Sequence, residues 1–208
     1  MSSVSAVEIC NLAATELGCK RIVSLTEDSP EAETFNTVYN AARRALLRSH
    51  PWSFGLTQVQ LSADGTNPLF GYARRFLRPP DCLRPVTFGD IWVGQGVVGV
   101  TTRYRYDAGS PKPYALKGRY IHTDYAGPVD YEYVTDVEDT TEFDPLFVIA
   151  LSCVIADMSV VDITDAPRYD AERVSRKRVE TLREARRVGS IEEPPEEEEP
   201  TPLNNVRF

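Results

Sequence analysis

At 208 residues with 42% hydrophobic side chains, the chain can bury the core of one domain or of two small sub-domains. Its formal net charge of -8 is uneven: residues 189–208 carry six glutamates against Arg207, a formal -5 that leaves -3 for the body. A nearly balanced body argues against a dedicated nucleic-acid binder, which needs a basic face for phosphates, yet it suits DNA sliding past without sticking. No stretch reads as the roughly 18 to 20 uncharged apolar residues that span a bilayer, and the N-terminus lacks a secretory pattern. A soluble, unexported protein is expected. Cys10, Cys19, Cys82 and Cys153 are widely spaced with no C-x-x-C pair, so reduced, buried thiols are expected rather than a zinc site or disulfide framework.

In chain order, Ser5 and Glu8 form an S-x-x-E capping box, and Ala6, Ile9, Cys10, Ala13 and Leu17 recur at helical spacing until Gly18. The pattern predicts a helix over 6–17. Ser29-Pro30 starts a second helix with Phe35, Val38, Ala42, Ala45 and Leu46 on one face, ending near Ser49 because Pro51 biases His50 away from helical geometry. From Ser53 to about Asp136 short alternating runs broken by glycine and proline read as antiparallel strands. Candidates are Leu56–Leu61, Leu83–Phe88, Val97–Tyr106, Tyr114–His122 and Val129–Val134, enough for a small sandwich or barrel-like sheet. Asp144-Pro145 then caps a helix whose body, Leu146–Val161, is apolar nearly all round and should be the buried centre of a helical layer. A last helix follows Pro167 to about Val188, with Ala171, Ser175, Val179, Leu182 and Ala185 as its stripe.

The resulting fold class is α+β. Residues 1–52 and 140–189 make a helical bundle of about four helices, 53–139 are an inserted antiparallel β region, and 190–208 are an acidic, proline-rich extended arm.

No catalytic, cofactor-binding or metal-binding residue is assigned. His50 and His122 have no partner at metal-ligand spacing and no nucleophile motif nearby; capping the last helical carbonyls is a sufficient task for His50. Glu138, Asp139, Glu142 and Asp144 read as a solvated turn ending in a helix cap. Gly94, Gly96 and Gly99 have G-x-G-x-x-G spacing but precede a strand-like run, so they read as a hairpin or loop. The last helix is formally +4, and its Arg173, Arg176, Lys177, Arg183 and Arg187 are candidates for contacts with a neighbouring subunit or with the arm. At the arm's end, Leu203, Val206, Arg207 and Phe208 are candidate anchors for a partner groove.

Several pieces in order carry a resemblance: Ile9-Cys10-Asn11-Leu12-Ala13 with Leu17-Gly18, Arg21-Ile22-Val23-Ser24-Leu25, Glu31-Ala32 followed by Tyr39, and the run from Arg43 to Ser49-His50-Pro51-Trp52-Ser53-Phe54. Pro80-Asp81-Cys82-Leu83-Arg84, Tyr133 to Val137 and Phe143-Asp144-Pro145-Leu146-Phe147 continue it. Over about residues 4–188 the chain resembles the tail tubular protein A family of short-tailed phages. The resemblance implies a structural virion protein without enzymatic activity, assembled in the host cytoplasm, which adapts the portal protein ring to a tail nozzle protein. It further implies a homo-dodecameric ring whose lumen passes double-stranded DNA without reading its sequence, with no membrane partner and no cofactor. The acidic arm departs from the family core, and its seating in a portal groove is an expectation from composition. Two other readings are a virion-associated cell-wall glycan hydrolase, which needs two carboxylates lining a cleft, and a peripheral module that decorates assembled tails.

Overall fold

The computed structural model describes residues 4–89, 91–92, 114–163 and 168–192. Helix α1 spans Ala6–Leu17 and opens with the expected reciprocal cap: Ser5 Oγ accepts from the Glu8 amide at 3.2 Å, and the Glu8 carboxylate accepts from the Ser5 amide at 2.6 Å. Gly18 ends it in the left-handed region at φ 69°. Helix α2 spans Pro30–Ser49, with the Ser29 hydroxyl accepting from the Ala32 amide. Helix α3 spans Pro145–Ile163, and Asp144 accepts from the amides of Leu146 at 2.7 Å and Phe147 at 3.3 Å. Helix α4 spans Arg168–Glu192.

Helix α3 packs against α1, α2 and α4 alike, so the two helical ends of the chain form one bundle around it. Its Phe147, Leu151 and Ile155 are fully buried, each contributing about 1.5–3 kcal/mol by removal from water. By length and mean composition α3 is apolar enough to cross a membrane, but it carries Asp157 and Asp162, so it is not an uncharged run, and most of it is buried against the other helices.

Two antiparallel sheets are built from β1 (Leu56–Leu61), β2 (Arg74–Leu77), β3 (Cys82–Phe88), β4 (Ile91–Trp92), β5 (Tyr114–Lys117), β6 (Tyr120–Thr123) and β7 (Val129–Thr135). One has the order β1-β7-β3-β4 and the other β2-β6-β5. Side chains alternate across a strand, and the larger sheet uses both faces. Val59, Leu61, Phe88, Val129, Tyr131 and Tyr133 meet Phe76, Ile121 and Tyr114 of the smaller sheet in a second core. On the opposite face Leu56, Val86 and Val134 join the helical core. The fold is α+β, with four helices among the described residues.

Several expectations need correction. On α4 only Val179 departs from the expected stripe, being 55% exposed; Ala171, Leu182 and Ala185 pack on the helical core, Ser175 donates to Asp157 of α3, and Val174 joins the buried side. Ala45 likewise faces solvent, while the charged Arg43 takes a buried place on α2. Helix α4 continues past Gly189 to Glu192. The run Tyr114–His122 is a hairpin, turning at Gly118 with φ 58°; its Gly-Arg turn lacks the Asn-Gly or Asp-Gly pair that marks such turns in sequence. Strand β2 was not anticipated, because Arg74-Arg75 hides its alternation. The expected strand Val97–Tyr106, the loop Gly94–Gly99 and most of the arm lie outside the described residues.

Candidate interaction surfaces

The chain passes from bundle to sheet through the Ser49–Phe54 run. His50 takes the C-cap of α2 with extended backbone, and a single 3-10 turn, Ser53–Gly55, leads into β1. The last carbonyls of α2 are not capped by His50, as the sequence suggested. Ser49 Oγ and Trp52 Nε1 both donate to the Leu46 carbonyl, at 2.7 and 3.1 Å. Trp52 stacks edge-on against His50 (4.9 Å) and Phe147 (5.1 Å), and Phe54 and Phe143 complete the cluster around Phe147 at 5.0 and 4.9 Å. Burial, then the nearby Arg186 and Arg84, push the His50 imidazole down from 6.5 to about 4. It is therefore neutral at physiological pH.

A second tie joins α2 to the end of β7. Arg43, 2% exposed, donates to the Val137 carbonyl and lies 2.8 Å from Asp136, whose other oxygen is 3.0 Å from Arg44. The start of β3 is held by Asp81, which accepts from Tyr133 (3.1 Å) and Thr135 (2.7 Å). The Arg43 and Arg44 contacts thus join the bundle to the end of β7, while those of Asp81 hold β3 to β7 within the sheet.

Beyond Leu56 and Val134 the helix-side face of the larger sheet overhangs the bundle and turns polar. Gln58 donates to Glu132 at 2.8 Å and Gln60 to Asp130 at 3.2 Å; with Thr87 they line an open concavity of about 360 Å³. Paired cross-strand, these groups form an exposed ladder suited to hydrogen bonding with another protein surface. On the smaller sheet, Arg75 is paired with Asp64 (2.7 Å) and lies 4.4 Å over the Tyr120 ring, while Lys117 sits 5.0 Å from the ring of Phe70, which is 73% exposed.

Six of the described cations of α4 fall into three groups, and Arg186 donates to Ser49 at the end of α2. Arg173 donates to the Glu16 carbonyl at 3.0 Å and Lys177 pairs with the Glu16 carboxylate, so both tie α4 to the end of α1. Arg178 pairs with Asp157 of α3 at 3.2 Å, and Arg187 with Glu184 of its own helix at 2.7 Å. Arg176 and Arg183 are exposed, seven residues apart on one face with Val179 between them. Of the five cations singled out from sequence, Arg173, Lys177 and Arg187 thus have intramolecular partners, and Arg176 and Arg183 face outward. Leu203, Val206, Arg207 and Phe208 lie outside the described residues.

Three of the four carboxylates of the 138–144 turn do local work: Glu138 lies 3.7 Å from Arg43, Asp139 accepts from the Thr141 amide at 2.9 Å and Asp144 caps α3. His122 is half-buried on β6. All four cysteines are free thiols, and burial pushes Cys10 up to about 12. Among the described residues no group of three or more His, Cys, Asp or Glu side chains is arranged to hold a metal ion.

Sequence reasoning missed the Arg43 tie and the polar overhang. Arg43 sits beside Arg44 in a helix, where charge normally signals solvent, and only the position of Asp136 ninety residues later makes it a core residue. The overhang was partly legible as the alternation of Gln58 and Gln60 against Val59 and Leu61. No family model matches this chain, and no curated protein matches it either.

Proposed function

We propose that the protein is a structural adaptor of a short-tailed phage virion, joining the portal ring to the tail nozzle as a homo-dodecamer with double-stranded DNA passing through its lumen. The observation that carries the reading is the corner built from Ser49–Phe54. The residues of the strongest resembling run, together with Phe143 and Phe147, form the aromatic junction between a split helical bundle and an inserted sandwich. A ring adaptor needs such a rigid two-body subunit, with one body for each neighbour along the axis and lateral faces for its own copies.

In this reading the bundle docks under the portal and the sandwich faces the nozzle. Arg176, Arg183 and the Gln58–Glu132 ladder are the lateral surfaces offered to neighbouring copies, and Leu203, Val206, Arg207 and Phe208 anchor the arm in a portal groove. The protein acts by assembly, with subunit contacts and portal templating supplying the free energy, and performs no catalysis. Deleting its gene from the phage tests the role: the adaptor reading predicts filled heads that leak DNA and carry no nozzle. Complete tails without the protein would make it a peripheral decoration instead. Normal assembly accompanied by failed cell-wall penetration would point to a glycan hydrolase.

A further inference from the structure

Three arginines converge where α2 ends. Arg48, in the last turn of α2, donates to the Leu83 carbonyl at the start of β3, which brings it beside Arg84. Arg186 of α4 donates to Ser49 Oγ at 3.0 Å. Three residues on, Gly189 lies against His50, whose Nε2 is 3.6 Å from where a side chain on that glycine would begin. Arg84 is half-buried, and its Nε is enclosed yet donates to no acceptor. The carboxylate of Asp81, three residues earlier, is already engaged by Tyr133 and Thr135. Burial and the charge of Arg48 both lower the Arg84 pKa. An enclosed guanidinium nitrogen without an acceptor is costly, and a planar guanidinium fork favours a carboxylate as its partner.

The chain carries such a partner close by. Helix α4 reaches Glu192, three residues past Gly189, and Glu193 and Glu196–Glu199 follow. An extended chain covers about 3.3 Å per residue, so these carboxylates are within a few residues of the cluster. A short tether also holds them there at an effective concentration in the millimolar range. We propose that the Arg48–Arg84–Arg186 cluster is a carboxylate-binding site whose occupant is the chain's own glutamate run, Glu192–Glu199, bound in cis. The contact sets the direction in which the arm leaves the bundle, and it leaves residues 200–208 to reach a partner. It does not depend on the adaptor reading, since it concerns a single subunit.

Carbodiimide coupling of the full-length Arg84→Lys variant tests the site. The reagent condenses a lysine amine with a carboxyl in contact, forming an amide while the carbodiimide takes up the lost water as a urea. Mass spectrometry should find the introduced amine joined to one of Glu192–Glu199 within monomeric protein. Because salt screens partly exposed pairs, the yield should fall several-fold at about 0.5 M NaCl. The native Lys177–Glu16 contact provides a link that reports both a working reaction and an intact bundle. With that link present, absence of any link from position 84 to the glutamate run would overturn the proposal. Links found only in covalent dimers would overturn binding in cis and place the run on a second copy.

Discussion

Arg43→Met tests the tie between bundle and sandwich. The substitution keeps most of the apolar stem but removes the guanidinium from a position where the side chain is 3% exposed. Removing one partner of a buried ion pair costs about 3–5 kcal/mol, because the remaining charge stays desolvated and uncompensated. Two features place this case at the lower end. Arg44 remains 3.0 Å from the second oxygen of Asp136, whose side chain is 18% exposed, and the 2.8 Å contact is Coulombic, because Asp136 Oδ1 accepts no well-directed hydrogen bond. Against this, the Val137 carbonyl also loses its donor. The expected loss is about 3 kcal/mol, which at a urea slope of roughly 2–3 kcal/mol/M lowers the midpoint by about 1–1.5 M. Urea unfolding followed by tryptophan fluorescence measures it, and the double variant Arg43→Met/Asp136→Leu should recover at least half of the loss. A single-variant loss below about 1 kcal/mol at unchanged slope would refute the reasoning.

Other perturbations have equally definite outcomes. Because folding lowers the His50 pKa from 6.5 to about 4, the unfolded chain binds the extra proton. Stability is therefore fully present above pH 6.5 and declines as pH falls toward 4, by at most about 1.4 kcal/mol per pH unit. His50→Gln should remove that slope in the difference between parallel urea titrations at pH 7 and 5. Gly127→Ala puts a methyl 2.7 Å from the buried Phe76 ring and should cost about 1–3 kcal/mol, read as a lower urea midpoint. Gly189→Ala meets only ordinary contact with His50 inside α4, so it should raise the midpoint by the equivalent of about 0.5–1 kcal/mol.

The helices were the legible part of this chain because their boundaries are written in local chemistry. The Ser5/Glu8 box, Ser29-Pro30 and Asp144-Pro145 each satisfy free amides within a few residues, so short windows of sequence suffice. The apolar run from Leu146 placed α3 at the centre for the same reason. The hairpin at Gly118 and strand β2 were less visible, since pairing with β6 decides them and pairing is not local. The interaction surfaces were least visible. Arg173 and Lys177 look solvated in sequence but tie α4 to Glu16, more than 150 residues earlier, whereas the outward position of Val179 follows from how α4 rotates against α3. The Arg48–Arg84–Arg186 convergence joins three separate elements, so no spacing rule within one of them could reveal it.

Native mass spectrometry of the full-length protein mixed with a purified portal ring encoded beside it tests the proposed adaptor role most directly. The account predicts a complex with twelve added copies, weakened when Leu203, Val206 and Phe208 are changed to alanine. Failure to bind the ring at any stoichiometry, with each protein folded, would contradict it.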